Sequence, residues 1–260
     1  MKRKILHSAL WLFIAFWFTV MMGFVNKTHD SLLCRGMLIS VSDSSELSFI
    51  TESAIRELIS NAGFFTQGYP IEGIHTRDME KMLEKDPYVK NAEVYTDVDG
   101  DLYVDITQRK PIVRVMPGGR NGYYIDQEGV VLPLSANYSP MVLLLTGHLD
   151  EISIQEQNGG YSIDLEKNTD NRLLMEFASY VDSDPFWSKQ IVQVYRSKNG
   201  EYEIIPRVGA HQIAFGTMED FKRKLRNLEL LYEQGFAKYG WNTYDKINLK
   251  YSNQIICTKR

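Results

Sequence analysis

From Ile5 to Asn26 the chain carries no Asp, Glu, Lys or Arg, and Lys2, Arg3 and Lys4 stand directly before this run. At about 1.5 Å of rise per residue, a helix over residues 5–26 is about 33 Å long, and the hydrocarbon core of a bilayer is about 30 Å thick. Aromatic side chains are dense here: Trp11, Phe13, Phe16, Trp17, Phe18 and Phe24. A cleaved signal peptide is the competing reading. Its apolar region spans about 7–15 residues and ends at a small-x-small site. This run is longer, and its exit reads Gly23-Phe24-Val25-Asn26-Lys27. A lipoprotein signal also fails, because Leu33-Cys34 lacks a small residue before the cysteine and lies too far downstream. Residues 5–26 are therefore expected to be an uncleaved transmembrane helix. The basic end, residues 1–4, keeps the amino terminus cytoplasmic, and Lys27 and Arg35 weaken that asymmetry only slightly. Residues 27–260 then lie outside the cytoplasm.

Formal charge is close to balance at −4, which excludes the basic surface of a nucleic-acid binder. A hydrophobic share of 44% is enough for a real core. The length beyond the anchor suits one large or two medium domains. Cys34 and Cys257 are the two cysteines. A disulfide scaffold is excluded, and both are expected to act as buried small hydrophobes.

Residues 30–110 read as strand, helix, helix, strand, strand. The first strand runs from Leu32 to Val41. Thr51 can cap a helix whose stripe is Ala54, Ile55, Leu58, Ile59 and Ala62, with Gly63 ending it. A second helix follows Thr76, carries Met79, Met82 and Leu83, and stops at Asp86-Pro87. Then comes a hairpin. Ala92, Val94, Thr96 and Val98 share one side, and Leu102, Val104 and Ile106 alternate with Tyr103, Asp105 and Thr107 on the return. Asp99-Gly100 predicts a type I′ turn between them. The result is a small three-stranded sheet with both helices on one face.

Residues 111–260 predict a mostly antiparallel β domain with packed helices. Strands are expected from Ile112, over Tyr123–Pro133 as strand, turn, strand, and over Met141–Thr146. Further strands fall at Ile191–Tyr195, Tyr202–Ile205, Gln212–Phe215, Asp245–Tyr251 and Ile255–Thr258. A helix over 170–182 shows Leu173, Leu174, Phe177, Tyr180 and Val181 on one side. A second begins at Thr217, with Asp220 as the weaker partner of a capping box. Phe221, Leu225, Leu228 and Leu231 form its stripe, and Arg223, Lys224 and Arg226 its solvated faces.

Nothing in the chain argues for catalysis. His7, His29, His75, His148 and His211 are scattered, and no two stand at metal-ligand spacing. There is no Gly-x-Ser-x-Gly, Walker loop or Ser-x-x-Lys. Gly118 to Gly122 lies between strands and reads as a hairpin loop, not a phosphate cradle. Asp97, Asp99 and Asp101 have Gly100 at the wrong position for an EF-hand, and the hairpin accounts for them. No cofactor, metal or catalytic residue is assigned.

The order of these segments resembles the FtsQ/DivIB family of bitopic bacterial cell-division proteins. Pro87 to Val94, Leu102 to Ile106 and Gln108-Arg109-Lys110-Pro111-Ile112-Val113 resemble the end of that family's POTRA module, where Glu-Arg-x-Pro is usual and Gln108 departs from it. Tyr124-Ile125-Asp126 with Glu128-Gly129-Val130 resembles the opening of its β domain. Ile213-Ala214-Phe215-Gly216 with Lys224-Leu225, and Asp245 to Tyr251, resemble later signatures, with Asn248 and Lys250 in place of Asp and Arg. Gly23 to Lys27 followed by Cys34 resembles Bacteroidetes members.

The resemblance implies an α+β protein: a single N-terminal transmembrane helix, a POTRA-like domain and a larger β domain. It implies a non-enzymatic scaffold of the division septum, held in the cell inner membrane. Its partners would be FtsB-like and FtsL-like proteins, which control septal peptidoglycan synthesis, and other divisome membrane proteins. The mode it implies is strand addition at the C-terminal edge. Tyr251, Ile255 and Ile256 would be the contacts, and Trp241 and Tyr244 a nearby aromatic surface. Adjacent apolar residues in a strand point to opposite faces, so one of Ile255 and Ile256 is expected in the core and the other free. Lys259 and Arg260 would discourage indiscriminate pairing. Two other readings compete. A POTRA-type assembly factor usually precedes a transmembrane barrel; residues 111–260 are too few for a large barrel and carry helices. A membrane-anchored periplasmic enzyme would need a polar cleft with convergent acid and base groups.

Overall fold

The computed structural model describes residues 10–22, 32–42, 47–118, 122–149, 152, 154–157 and 160–260. Residues 10–22 form a helix, α1, and every one of them is exposed. The remainder of the expected anchor, residues 5–9 and 23–26, lies outside the described residues, as does the basic end, residues 1–4. Among the described residues no helix is long and apolar enough to cross a membrane. The rest of the chain falls into two units. One holds Ile50–Gln108 and the described residues before Leu47, and the other holds Leu47–Phe49 with Arg109–Arg260.

The first unit is β1 (Gly36–Val41), α2 (Glu52–Asn61), α3 (Thr76–Leu83), β2 (Val89–Thr96) and β3 (Asp101–Gln108). Its sheet runs β1-β3-β2, with β1 parallel and β2 antiparallel to the central β3. Period-two alternation decides what β3 buries: Leu102, Val104, Ile106 and Gln108 go inward, with half-exposed residues between them. Ile55 and Ile59 of α2 and Met79 and Leu83 of α3 complete that core. Thr51 caps α2 as expected, its hydroxyl accepting from the Ala54 N–H at 3.3 Å. The buried amide of Gln108 works in both directions. Its Oε1 accepts from the Ile50 N–H at 3.0 Å, and its Nε2 donates to the Ser42 carbonyl at 3.3 Å. A glutamate at this position could make only the first of these bonds when ionised.

The hairpin turn corrects the sequence expectation. Type I′ needs positive φ at both Asp99 and Gly100, and only Gly100 has it, at 95°. The Asp97 N–H donates to the Asp101 carbonyl at 3.0 Å, which leaves a three-residue loop with glycine at its end. Such loops place a left-handed residue last, as a bulge. The Asp97 carboxylate accepts from the Asp99 and Asp101 N–H groups, so it shapes the turn. Cys34 is buried and free.

Among its described residues the second unit contains one eleven-stranded sheet. In chain order its elements are β4 (Pro111–Pro117), β5 (Tyr123–Asp126), β6 (Val130–Pro133), β7 (Leu143–Gly147), β8 (Ile154–Gln157) and β9 (Gly160–Ile163). Then come α4 (Thr169–Ser183), α5 (Trp187–Gln190), β10 (Ile191–Arg196), β11 (Tyr202–Pro206), β12 (Gln212–Gly216) and α6 (Phe221–Leu230). A π-helical turn (Leu231–Phe236), α7 (Ala237–Tyr239), β13 (Tyr244–Asn248) and β14 (Ile256–Lys259) close the chain. The strand order is β14-β13-β12-β11-β10-β7-β4-β5-β6-β9-β8. Most neighbours are antiparallel, but β4–β7, β7–β10 and β12–β13 are parallel, so the middle of the sheet is not a meander. The β8–β9 hairpin escapes the sequence reading, because β8 is mostly polar and each strand is only four residues long. Gly118 to Gly122 does join two antiparallel strands, β4 and β5, although residues 119–121 lie outside the described residues.

Helix α4 buries Leu174, Met175, Phe177, Ala178 and Val181 against this sheet. Its first turn is tied down where Asp170 accepts from the Tyr202 hydroxyl at 2.8 Å and from Arg196 at 3.3 Å. The Arg109, Asp126 and Glu128 motif residues meet: Arg109 pairs with both carboxylates, and Asp126 also accepts from the Glu128 and Val130 N–H groups to form the β5–β6 turn.

Helix α6 begins at Phe221, not at Thr217. No capping box forms, because Asp220 is left-handed, with φ 53°, and its side chain makes no cap bond. Residues 217–220 instead bury Met218 completely. Lys224 is also corrected. It is buried, not solvated. Its ammonium donates to the Thr217 carbonyl at 2.7 Å and lies 4.9 Å from the Phe215 ring centre, so it clamps the loop onto the sheet. Burial pushes its pKa down from the usual lysine value.

Gly147 marks the tightest crossing in the sheet. It has φ 102°, and a Cβ there would meet the Arg196 carbonyl oxygen at 2.1 Å. Backbone cannot yield cheaply between paired strands. Gly147→Ala is expected to destabilise the protein by about 2 kcal/mol or more, read as a lower urea midpoint with unchanged slope.

The C-terminal edge as the candidate functional site

Strand β14 ends the sheet. It pairs antiparallel with β13, with Asn248 opposite Ile256, Ile247 opposite Cys257 and Lys246 opposite Thr258. No described strand covers its other side. An uncovered edge presents unpaired N–H and C=O groups to any extended chain that can lie beside it.

The adjacent isoleucines divide as the pleat requires. Ile255 packs on the core and Ile256 is 43% exposed. Tyr251 is half-exposed in the turn that joins β13 to β14. The strand before that turn stops at Asn248, where the sequence suggested Tyr251. The cause is local: the Asn248 side chain accepts from the Lys250 N–H at 3.0 Å and turns the backbone out of the sheet. Arg223 donates to the Ser252 carbonyl at 2.9 Å and braces the same turn from α6. Cys257 is free and half-buried, so it is less enclosed than expected.

Trp241 and Tyr244 are anchored in an aromatic cluster. The Trp241 ring lies 5.0 Å from Tyr232 and 5.1 Å from Phe236, and Tyr244 stacks on Phe236 at 5.8 Å. Both are half-buried, so they form a wall beside the edge more than a free aromatic patch. Arg260 is held in place too, its N–H bonding to the Thr243 carbonyl and its guanidinium to the Ala210 carbonyl.

Beside Ile255 lies a groove of about 450 Å³ lined by Leu230, Leu231, Gln234, Gly235 and residues of the 252–254 turn. Its floor is the π-helical turn Leu231–Phe236, where an extra residue per turn widens the backbone. The sequence reading missed Leu230 as a surface residue. The signal was present: at about 100° per residue, Leu228 and Leu230 point apart, so both cannot share the buried stripe. Leu228 is buried and Leu230 is 43% exposed.

The electrostatics of the edge are simple. Lys246 faces Glu203 at 3.9 Å and Lys250 pairs with Glu201 at 2.5 Å, while Lys259 stands at the end of β14 itself. Among the described residues no group of three or more His, Cys, Asp or Glu side chains could hold a metal ion.

His211 sits beneath the aromatic wall, 2% exposed, with Nε2 at 3.0 Å from the Tyr232 hydroxyl. Its Nδ1 is buried with no hydrogen-bond partner among the described residues. Burial pushes its pKa down, because a charged imidazolium would be desolvated among rings. Since the folded-state pKa lies below the unfolded value of about 6.5, the unfolded chain binds the proton more readily. The contribution of His211 is therefore complete above about pH 6.5 and is lost as the pH falls below it. Melting curves between pH 7.5 and 5.5 are expected to show wild type losing up to about 1.4 kcal/mol per pH unit, and His211→Phe losing clearly less.

Comparison with known proteins agrees with this architecture. Residues 110–258 match the family described as FtsQ/DivIB, C-terminal related, and residues 32–107 match a POTRA-like domain. Cell division protein FtsQ of Rhodothermus marinus is 29% identical over 179 residues, which cover 67% of this chain and 62% of that protein. Cell division protein FtsQ of Geotalea daltonii is 23% identical over 205 residues, 78% of this chain and 70% of that protein. The first of these matches thus spans less than two thirds of the relative's own length. Because the match over residues 110–258 takes in more than half of the sequence, including every strand of the edge just described, this chain belongs to the FtsQ/DivIB, C-terminal related family.

Proposed function

We propose that this chain is a non-enzymatic, membrane-anchored scaffold of bacterial cell division. It joins early septal-ring components to an FtsB-like and FtsL-like pair, in part by accepting a partner strand at β14. The observation that carries the reading is the uncovered β14 edge with Ile256 exposed beside it. An added strand gains affinity from backbone hydrogen bonds, each worth about 0.5–1.5 kcal/mol net, and selectivity from alternate side chains. Ile256 and Tyr251 offer the side-chain contacts. The groove beside Ile255 and Leu230 can take the partner's next segment, and Trp241 and Tyr244 stiffen its border.

Family membership and the relatives' names support the division role. The anchor reading rests on the uncharged run and on α1, which leaves Trp11, Phe13, Phe16 and Phe18 exposed. Such an apolar surface suits lipid better than water. With Lys2, Arg3 and Lys4 cytoplasmic, both units stand outside the inner membrane at the septum, in position to meet other membrane division proteins.

The test uses the full chain in detergent and the extracytoplasmic segments of the same organism's FtsB-like and FtsL-like proteins. Ile256→Asp is expected to weaken capture of the partner about tenfold or more with an unchanged melting temperature, as loss of a central exposed anchor does. Ile255→Asp is expected to lower both, since Ile255 also packs on the core. Wild-type affinity in the Ile256→Asp chain would overturn strand addition at this edge. Failure of the folded wild type to capture either partner would overturn the scaffold reading.

A further inference from the structure

The sheet of the first unit has a second face, on which the outward residues of β1, β2 and β3 are exposed or half-exposed. On that face Leu38 of β1, Tyr103 of β3 and Tyr95 of β2 stand in one register row. Leu38 is 50% exposed and Tyr95 47% exposed. The two tyrosine rings lie nearly parallel, with centres 5.2 Å apart. In the next row, Ser40, Asp105 and Glu93 are opposite one another. On the other side comes Asp101, followed by Asp97 and Asp99 of the turn. None of the outward positions in these paired rows carries Lys or Arg; Lys90 stands at the bulge at one end of β2, and at the turn the Arg35 guanidinium donates to the Asp99 carbonyl at 3.4 Å, so the Asp105–Glu93 margin is the more open of the two.

The tyrosine pair is not absorbed by the unit's own packing. A core lies on the opposite side of the same strands, built from Leu102, Val104 and Ile106. The Tyr95 hydroxyl donates to the Asp105 carboxylate at 3.1 Å, which fixes ring and charge side by side. That bond, above other causes, pushes the Tyr95 pKa up, so the phenol stays a donor. The Asp101 N–H, above other causes, holds the Asp97 carboxyl below the usual range, so it stays an anion in mild acid. An apolar-aromatic row between two acidic margins suits one chemistry. Anionic lipid and nucleic acid are repelled. A guanidinium can lie flat on a tyrosine ring while its N–H groups reach the flanking carboxylates, which a lysine ammonium does less well.

We propose that the outward face of β1-β3-β2 is a docking surface for an arginine-bearing cationic segment of a partner protein. Arginine heads engage Asp105, Glu93 and Asp101, and apolar side chains settle on Leu38 and the tyrosine row. This contact goes beyond the β14 reading and does not depend on it.

The test is binding of fluorescein-labelled GRLRYRLRG to the full chain in detergent at low salt, with GKLKYKLKG and GELEYELEG as comparison peptides. Saturable binding of the arginine peptide is expected, with the lysine peptide about threefold weaker and the glutamate peptide silent. Glu93→Gln with Asp105→Asn is expected to weaken binding about fivefold or more, and Tyr95→Ser about threefold. Glu156→Gln with Glu166→Gln, which removes the same charge from exposed positions elsewhere, is expected to leave it unchanged. No saturable binding overturns the proposal. So does an equal loss in the Glu156 and Glu166 chain, or wild-type affinity in both Tyr95→Ser and the Glu93/Asp105 chain.

Discussion

The second unit is organised around Phe177. Its ring, fully buried, lies 5.5 Å from Phe215 of β12 and 5.7 Å from Phe221 at the start of α6. One side chain thus fastens both long helices to the sheet. Because α6 must bring Phe221 to that point, residues 217–220 cannot continue the helix backwards. They bury Met218, pass through a left-handed Asp220 and are held by the Lys224 ammonium. The same docking sets where the core ends. Ile247 and Leu249 are its last fully enclosed side chains, and β14 beyond them is half covered at best. An uncovered edge is the consequence of a core that stops one strand early.

Such an edge invites the wrong partner as readily as the right one. The chain limits this in three ways. Strand β14 is short, its end carries Lys259 and Arg260, and Arg260 is bonded back to Thr243 and Ala210. The aromatic cluster of His211, Tyr232, Phe236 and Trp241 stiffens the support below it. On the proposed reading, stiff support would leave little order to be created on binding. It also makes this end of the molecule sensitive to acid, since the histidine is held neutral.

Much of the fold was legible. In the first unit the order of elements, the stripe of α3 and the alternation of β3 follow from local periodicity, whereas the α2 stripe narrows to Ile55 and Ile59, with Ala54, Leu58 and Ala62 left exposed. Misreadings came where a distant contact overrode a local preference. Asp99-Gly100 has the composition of a two-residue turn, yet the Asp97 carboxylate and the register with β3 select a three-residue one. Lys224 looks like a solvated helix residue until Thr217 and Phe215 are brought to it. The parallel pairs at β4–β7–β10 join segments far apart in the chain, and no window of sequence contains them. At the candidate site, the split between Ile255 and Ile256 was predictable from the pleat, but the groove beside them was not. It needs the π-helical turn and the braced 251–253 loop together.

The sequence by itself determined an uncharged helical start, a strand-helix-helix-strand-strand unit, a larger strand-rich unit with two amphipathic helices, and a last strand able to be an edge. These depend on spacing within about 20 residues, where side-chain periodicity and turn chemistry act directly. The tertiary structure alone decided the order of the eleven strands, the burial of Lys224 and His211, and the assembly of Trp241 and Tyr244 into a wall. It also decided that Leu38, Tyr103 and Tyr95 share one open acidic face. Each of these joins residues from separate segments, and only the closing of the cores fixes which segments become neighbours.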